Sequence, residues 1–103
     1  MCGIAGFLNN EISSDQINSN ISSMLNGIHH RGPDRNDFWI EQKSKLVIAN
    51  TRLAIQDLSV YGNQPMHSKS GRYVIVFNGE IYNFKQLKRE YLRDVKNIGN
   101  SDT

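Results

Sequence analysis

Apolar residues spaced three and four positions apart predict an amphipathic helix in the first third of the chain. Ser13 and Gln16 have the spacing of a capping box, in which each side chain bonds the backbone amide of the other. The apolar positions that follow share one helical face. They are Ile17, Ile21, Met24, Leu25 and Ile28. We therefore expect a helix with one buried side.

Short apolar runs predict the strands. Three of them cover residues 3–8, 38–40 and 46–49, and the third run continues towards residue 55. Residues 72–77 form the strongest run, because they are good strand formers and are apolar on both faces. We therefore expect this last strand to be central in its sheet and buried.

A second helix is predicted at residues 83–93, with Asn83 as its cap and Gln86 three residues further on. The resulting order is strand, helix, several strands, helix. Since it contains no regular strand–helix–strand repeat, it favours an α+β layered fold over a doubly wound sheet. The polar tail at residues 95–103 brings no closing element, so we expect the chain to be part of a longer domain.

Composition excludes several classes of protein. The chain has 103 residues and a net charge of +2, with basic residues concentrated only at residues 85–93, which is typical of a solvated helix face and not of a nucleic-acid site. There is no apolar run long enough to span a membrane, and the first residues lack the pattern of a signal peptide. We expect a cytoplasmic protein that binds neither nucleic acid nor membrane.

Metal and disulfide chemistry are not expected. A single cysteine cannot form an internal disulfide, and His29, His30 and His67 lack the spacing of zinc ligands. The lone cysteine, Cys2, instead precedes a glycine at the start of the chain. Removal of Met1 would give Cys2 a free α-amine, which could act as a base towards its own thiol. Alone, the position of Cys2 is also compatible with an incidental cysteine.

Three further features have both a catalytic and an ordinary interpretation. Asn78-Gly79 follows the predicted buried strand and could supply an oxyanion hole, although Asn-Gly also favours a hairpin turn. Arg52 presents a planar fork suited to a carboxylate, or it is a surface arginine. Glu80 and Asp102 could bind an ammonium group, or they are simply charged loop residues.

Six ordered sequence blocks resemble the class II glutamine amidotransferases, and more narrowly the glutaminase domain of the glutamine-hydrolysing asparagine synthetases. They are M-C-G-I-A-G-F at the start, H-R-G-P-D at 30–34, R-L-A-I-Q-D-L-S at 52–59, Q-P-M at 64–66, F-N-G-E-I-Y-N at 77–83 and S-D-T at 101–103. The resemblance implies an N-terminal-nucleophile hydrolase fold, in which two antiparallel sheets are layered between helices (αββα). Residues 1–103 would be the N-terminal part of this amidotransferase domain.

The resemblance also implies the chemistry, which is hydrolysis of glutamine to glutamate and ammonia through a thioester on Cys2. Asn78 and Gly79 would form the oxyanion hole and contact the substrate. Arg52 would bind the α-carboxylate of glutamine, and Glu80 and Asp102 its α-amine. The segment that would line the glutamine site is Arg52, Leu53, Ala54, Ile55 and Gln56. The family often has Gly-His shortly before this segment, whereas Ala49-Asn50-Thr51 stand before Arg52 here, and we expect this departure to tune the site at most.

The acceptor of the ammonia is not encoded in these residues. The family implies a synthetase domain, absent here, that binds ATP and Mg²⁺ and amidates aspartate, and a homodimer is possible for the full-length parent. Nothing in these residues is expected to bind a cofactor, and the fragment alone is expected to be inactive. Two alternatives stay open: the same glutaminase chemistry feeding another acceptor, such as a sugar in surface-polysaccharide synthesis, or an inactive truncated interaction module.

Overall fold

The computed structural model describes residues 2–55, 57–96 and 98–103. In chain order its elements are β1 (Gly3–Leu8), α1 (Ser14–Gly27), β2 (Arg35–Glu41), β3 (Leu46–Arg52), β4 (Met66–His67), β5 (Val74–Ile75) and α2 (Phe84–Tyr91). Short 3-10 turns lie at His29–Arg31 and Val60–Gly62. Antiparallel sheets and two helices confirm the α+β class at this level of detail.

β3 is the central strand of the larger sheet. It pairs antiparallel with β1 on one edge, where Gly3 lies opposite Thr51, and with β2 on the other, where Trp39 lies opposite Ile48. Having partners on both sides buries β3 almost from end to end: six of its residues, Val47 to Arg52, are buried or half-buried. The later predicted strand at residues 72–77 does not have this central position.

The apolar core lies between α1 and this sheet. Ile17, Ile21 and Leu25 are buried on the inner face of α1 and cluster with Val47 and Ala49 of β3. The predicted capping box is confirmed, since the Gln16 amide donates to Ser13 Oγ (3.3 Å) and the Ser13 amide donates to Gln16 Oε1 (3.1 Å). Met24, predicted on the same face, is instead 37% exposed at the edge of the core.

The prediction of a central buried strand at residues 72–77 is wrong. The strand found there, β5, has two residues, and among the described residues it pairs only with the two-residue β4. Tyr73 and Ile75 are exposed. Strand propensity is a property of the run itself, whereas a central and buried strand also needs neighbouring strands on both edges and packed layers on both faces. At Phe77 the backbone amide donates to the Gln64 side chain (2.5 Å), so a side chain occupies the place of a strand partner.

The second helix is shorter than predicted and is capped differently. α2 begins after Asn83, but the Asn83 side chain makes no capping hydrogen bond with any described residue. The helix ends at Tyr91 and not at Arg93, and every residue of its span Phe84–Tyr91 is half-buried or exposed. In the part of the chain that the structure describes, neither α1 nor α2 has the length and apolarity that crossing a membrane requires.

Polar groups, and not apolar packing, hold the loop that follows β3. Arg52 donates from Nη1 to the Ser59 carbonyl (3.1 Å) and from Nη2 to the Asp57 carbonyl. The buried Asp57 carboxylate accepts from the amides of Ser59 (2.8 Å) and Asn100 (2.7 Å). Hydrogen bonds from Ser59, and then from the Asn100 amide, lower the pKa of Asp57 from 3.8 to about 2.

The core predicts how much stability is lost when a buried side chain of α1 is shortened. Ile21 is fully buried, so Ile21→Ala should lower the free energy of unfolding by about 2–5 kcal/mol, because it removes buried methyl groups and leaves a cavity. Met24→Ala, on the partly exposed edge of the same helix, is the matched control and should cost much less. Urea denaturation followed by circular dichroism measures both. Equal losses in the two variants would contradict this assignment of the core.

The lowered pKa of Asp57 predicts how stability depends on pH. The carboxylate is more acidic in the folded chain than its ordinary value of 3.8, so its contribution is fully present above about pH 4 and is lost as the pH falls through about 2. Asp57→Asn removes this contribution at every pH. The stability gap between wild type and Asp57→Asn should therefore be widest near neutral pH and should narrow between pH 4 and pH 2. A gap that stays constant over this window would contradict the prediction.

Candidate functional site

One cleft, of about 150 Å³, lies beside the end of β3. Nearly all the residues singled out in the sequence line it: Cys2, Arg52, Leu53, Ala54, Ile55, Asn78, Gly79, Glu80 and Asp102. Gln56 and Met1 lie outside the described residues. The structure therefore brings together residues up to 100 positions apart in the chain, while their individual roles stay predictions.

Cys2 is held at the wall of the cleft by backbone contacts. The Leu53 amide donates to Cys2 Sγ (3.4 Å), and the thiol faces the Leu53 carbonyl (3.8 Å). Arg31 Nε donates to the Cys2 carbonyl (3.2 Å) from the turn after α1. These contacts place the sulfur next to the segment that follows β3, where a ligand in the cleft could reach it.

The residue after Cys2 is clamped by two buried side chains of β3. Thr51 Oγ1 accepts from the Gly3 amide (3.1 Å) and donates to the Ile28 carbonyl (3.3 Å) at the end of α1. Asn50 Nδ2 donates to the Gly3 carbonyl (3.3 Å). A Cβ at position 3 would lie 2.7 Å from Thr51 Oγ1, so only glycine allows this approach. Asn50 and Thr51, which belong to the segment that differs from the family pattern, therefore contact the peptide groups that immediately follow the cysteine.

Arg52 lines the cleft, but it also holds its own loop. Its guanidinium donates to the carbonyls of Ser59 and Asp57 and to Asn63 Oδ1, and the residue is only 9% exposed. None of these acceptor atoms carries a formal charge. A positive charge of this kind, largely removed from water, attracts an anion that enters the cleft. The interpretation of Arg52 as a surface arginine is wrong.

Asn78 and Gly79 also line the cleft. The hairpin interpretation fails, because the chain runs from Gly79 through a turn into α2, and the described residues in between contain no strand. Asp102 folds back over this segment, where its Oδ2 accepts from the Ile81 amide (2.7 Å). Glu80 is exposed at the rim. The Asn78 amide group and the two carboxylates thus border the same space as Arg52.

Sequence reasoning missed six further residues of the cleft: Asp57, Gly62, Gln64, Phe77, Ser101 and Thr103. The buried Gln64 accepts from the Phe77 amide and donates to Thr103 Oγ1 (3.2 Å), so it connects two sides of the cleft. Gly62 approaches Arg52 so closely that a Cβ there would lie 2.5 Å from Nη2. Five of the six lie within the sequence blocks that carry the resemblance, and Gly62 lies between two of them, so the blocks were the signal available.

Metal ligands do not cluster here. Across the described residues, no group of three or more His, Cys, Asp or Glu side chains is placed to hold a metal ion. The polar groups of the cleft are instead a thiol, a guanidinium, amides and carboxylates. This set matches an amino-acid ligand, which carries both a carboxylate and an ammonium group.

Comparison with known proteins gives the family. The family described as glutamine amidotransferase domain matches residues 1–103. Similar proteins include the amidase chry2 of Gibberella zeae, 34% identical over 99% of this chain and 16% of its own length. They also include asparagine synthetase [glutamine-hydrolyzing] 2 of Bacillus subtilis, 41% identical over 85% of this chain and 12% of its own length.

Asparagine synthetase B [glutamine-hydrolyzing] of Escherichia coli is a third relative, 30% identical over 88% of this chain. The alignment covers 16% of the Escherichia coli protein, so this chain spans a small part of the proteins that it resembles. The family match itself extends over all 103 residues. The chain belongs to the glutamine amidotransferase domain family.

Proposed function

We propose that this chain supplies the glutamine-hydrolysing site of an asparagine synthetase, built on an N-terminal-nucleophile hydrolase fold. The observation that carries the proposal is the single cleft that Cys2, Arg52, Asn78, Gly79 and Asp102 line together. Glutamine needs a cation and an anion for its two charged ends, a nucleophile at its amide, and hydrogen-bond donors for the oxyanion. The cleft offers each of these groups.

The reaction follows from their chemistry. Once Met1 has been removed, the free α-amine of Cys2 takes the thiol proton, and the sulfur attacks the side-chain amide carbon of glutamine. Asn78 and the Gly79 amide donate to the oxyanion of the tetrahedral intermediate. The proton passes to the leaving nitrogen, ammonia departs, and a thioester to Cys2 remains. Water then hydrolyses the thioester, which releases glutamate and regenerates the thiol.

Charged residues on two sides of the cleft orient the substrate by binding its two charged ends. Arg52 faces the α-carboxylate, because its guanidinium is positive and the atoms that accept its hydrogen bonds are neutral, while the nearby Asp57 carboxylate accepts from backbone amides. Asp102 and Glu80 face the α-ammonium group. The backbone of Leu53, Ala54 and Ile55 lines the side chain of glutamine between these two ends.

The ammonia would be used by a synthetase domain outside these residues, which binds ATP and Mg²⁺ and amidates aspartate. Relatives named glutamine-hydrolysing asparagine synthetases support this acceptor. A second candidate keeps the glutaminase chemistry and changes the acceptor. It is favoured by the similarity to a protein named as an amidase, whose alignment covers 99% of this chain. Assaying the full polypeptide with aspartate and with other acceptors, in the presence of ATP, separates the two.

The first prediction for this function concerns the nucleophile. In the full polypeptide, Cys2→Ala should abolish glutamate release from glutamine and leave ammonia-dependent synthesis intact, because only the thioester step is lost. A residual N-terminal extension that blocks the α-amine should have the same effect on wild type. Coupled assays of glutamate and of the amidated product measure both activities. Hydrolysis of glutamine at the wild-type rate by Cys2→Ala would exclude the thioester route.

A second prediction separates oxyanion stabilisation from substrate binding. Asn78→Ala should lower kcat by about 10²–10³, as expected when one oxyanion donor is lost. Arg52→Lys retains a positive charge but loses the planar fork, so it should mainly raise KM for glutamine. Thermal melting of both variants controls for damage to the loop that Arg52 holds. If Asn78→Ala changed only KM and Arg52→Lys changed only kcat, the two roles would have to be exchanged.

A further inference from the structure

Asp57 lies between the two charged sides of the cleft and bonds to both. Its backbone carbonyl accepts from Arg52 Nη2. Its side-chain carboxylate accepts from the Asn100 amide (2.7 Å), two residues before Asp102. A single buried residue, 7% exposed, thus connects the guanidinium assigned to the α-carboxylate with the segment assigned to the α-ammonium group.

The approach of residues 98–103 to Asp57 is unusually close. A Cβ at Gly99 would lie 2.1 Å from Asp57 Oδ2 and 3.2 Å from Tyr61 Cβ, so this contact requires glycine. On the far side of Asp102, Thr103 Oγ1 accepts from Gln64 Nε2 (3.2 Å). The backbone that carries Asp102 is therefore attached on both sides to buried polar residues of the loop between β3 and β4.

We propose that Asp57 is a positioning residue that sets the distance between Arg52 and Asp102, and so selects ligands that carry both an α-carboxylate and an α-amine. The proposal rests on the proposed glutaminase function. Asp57 lines the cleft, but both oxygens of its carboxylate already accept from backbone amides, those of Ser59 and Asn100. Its effect passes through Asn100 to Asp102, and its loss should weaken recognition of the α-amine while the sulfur stays next to Leu53.

The experiment compares two substrates that differ only in the α-amine. Glutamine and 5-amino-5-oxopentanoate, which lacks the amine, both release ammonia on hydrolysis, so one ammonia assay follows both in the full polypeptide. Asp57→Asn keeps the shape of the side chain but removes its charge and leaves one acceptor oxygen for the amides of Ser59 and Asn100, so one of these two amides faces an NH₂ group. We expect kcat/KM for glutamine to fall roughly tenfold or more, mainly through KM, because a hydrogen bond to a charged group is lost.

For the substrate without the amine, Asp57→Asn should stay within about twofold of wild type. Gly99→Ala is the second variant, because its methyl group displaces residues 98–103 from Asp57 without changing the carboxylate. It should reproduce the loss that is specific to glutamine even if Asp57→Asn fails to fold. Gly27→Ala is the matched control, since a Cβ at Gly27 meets nothing within 4 Å among the described residues, and it should change neither activity.

The outcomes distinguish an error in the role of Asp57 from an error in the proposed glutaminase function. An equal loss of activity on both substrates, or a fall in kcat alone, in the folded variants would overturn the role of Asp57 and leave the glutaminase function standing. Wild-type activity on glutamine in both Asp57→Asn and Gly99→Ala would overturn it as well. Failure of wild type to hydrolyse glutamine, with Cys2 intact and unblocked, would refute the proposed function and this inference together.

Discussion

Three consecutive buried polar residues at the end of β3 constrain the rest of the structure. Asn50, Thr51 and Arg52 lie where an apolar strand would normally end at the surface, and they are 1%, 0% and 9% exposed. A buried polar group is costly unless it is hydrogen-bonded, so these side chains need partners close by. Their partners are the peptide groups of Gly3, the Ile28 carbonyl and the loop after β3, although Asn50 Oδ1 has no hydrogen-bond partner among the described residues. The cleft lies beside the last of them, since Arg52 and the loop residue Asp57 both line it.

The same polar contacts determine which residues border the cleft. Because Thr51 and Asn50 hold Gly3, the neighbouring Cys2 stays next to Leu53. Because Arg52 holds the loop that contains Asp57, the carboxylate of Asp57 meets the amide of Asn100. Hydrogen bonding, more than apolar burial, thus organises the site. The hydrophobic core lies beside it, between α1 and the β1–β3–β2 sheet.

Local features were predictable from the sequence, and features that depend on distant partners were not. The Ser13–Gln16 capping box and the inner face of α1 are encoded within a few residues, and the structure confirms them. Residues 72–77 have strong strand propensity, yet β5 has only two residues, because among the described residues just β4 pairs with it. For the cleft, each residue alone had an ordinary interpretation, and only the ordered sequence blocks indicated that they meet. Asp57 and Gln64 escaped notice because their contacts, with Asn100, Phe77 and Thr103, join segments far apart in the chain.

The two halves of the cleft differ in what stabilises them. Cys2 is next to a sheet whose central strand packs on the buried residues of α1, so the position of the nucleophile depends on a cooperative apolar core. The segment with Asp102 depends instead on a few hydrogen bonds, with Asp57, Gln64, Ile81 and Lys88. Local opening costs less free energy where few apolar contacts are lost. Residues 98–103 should therefore open more readily than β1, and moderate destabilisation should impair substrate binding before it displaces the nucleophile.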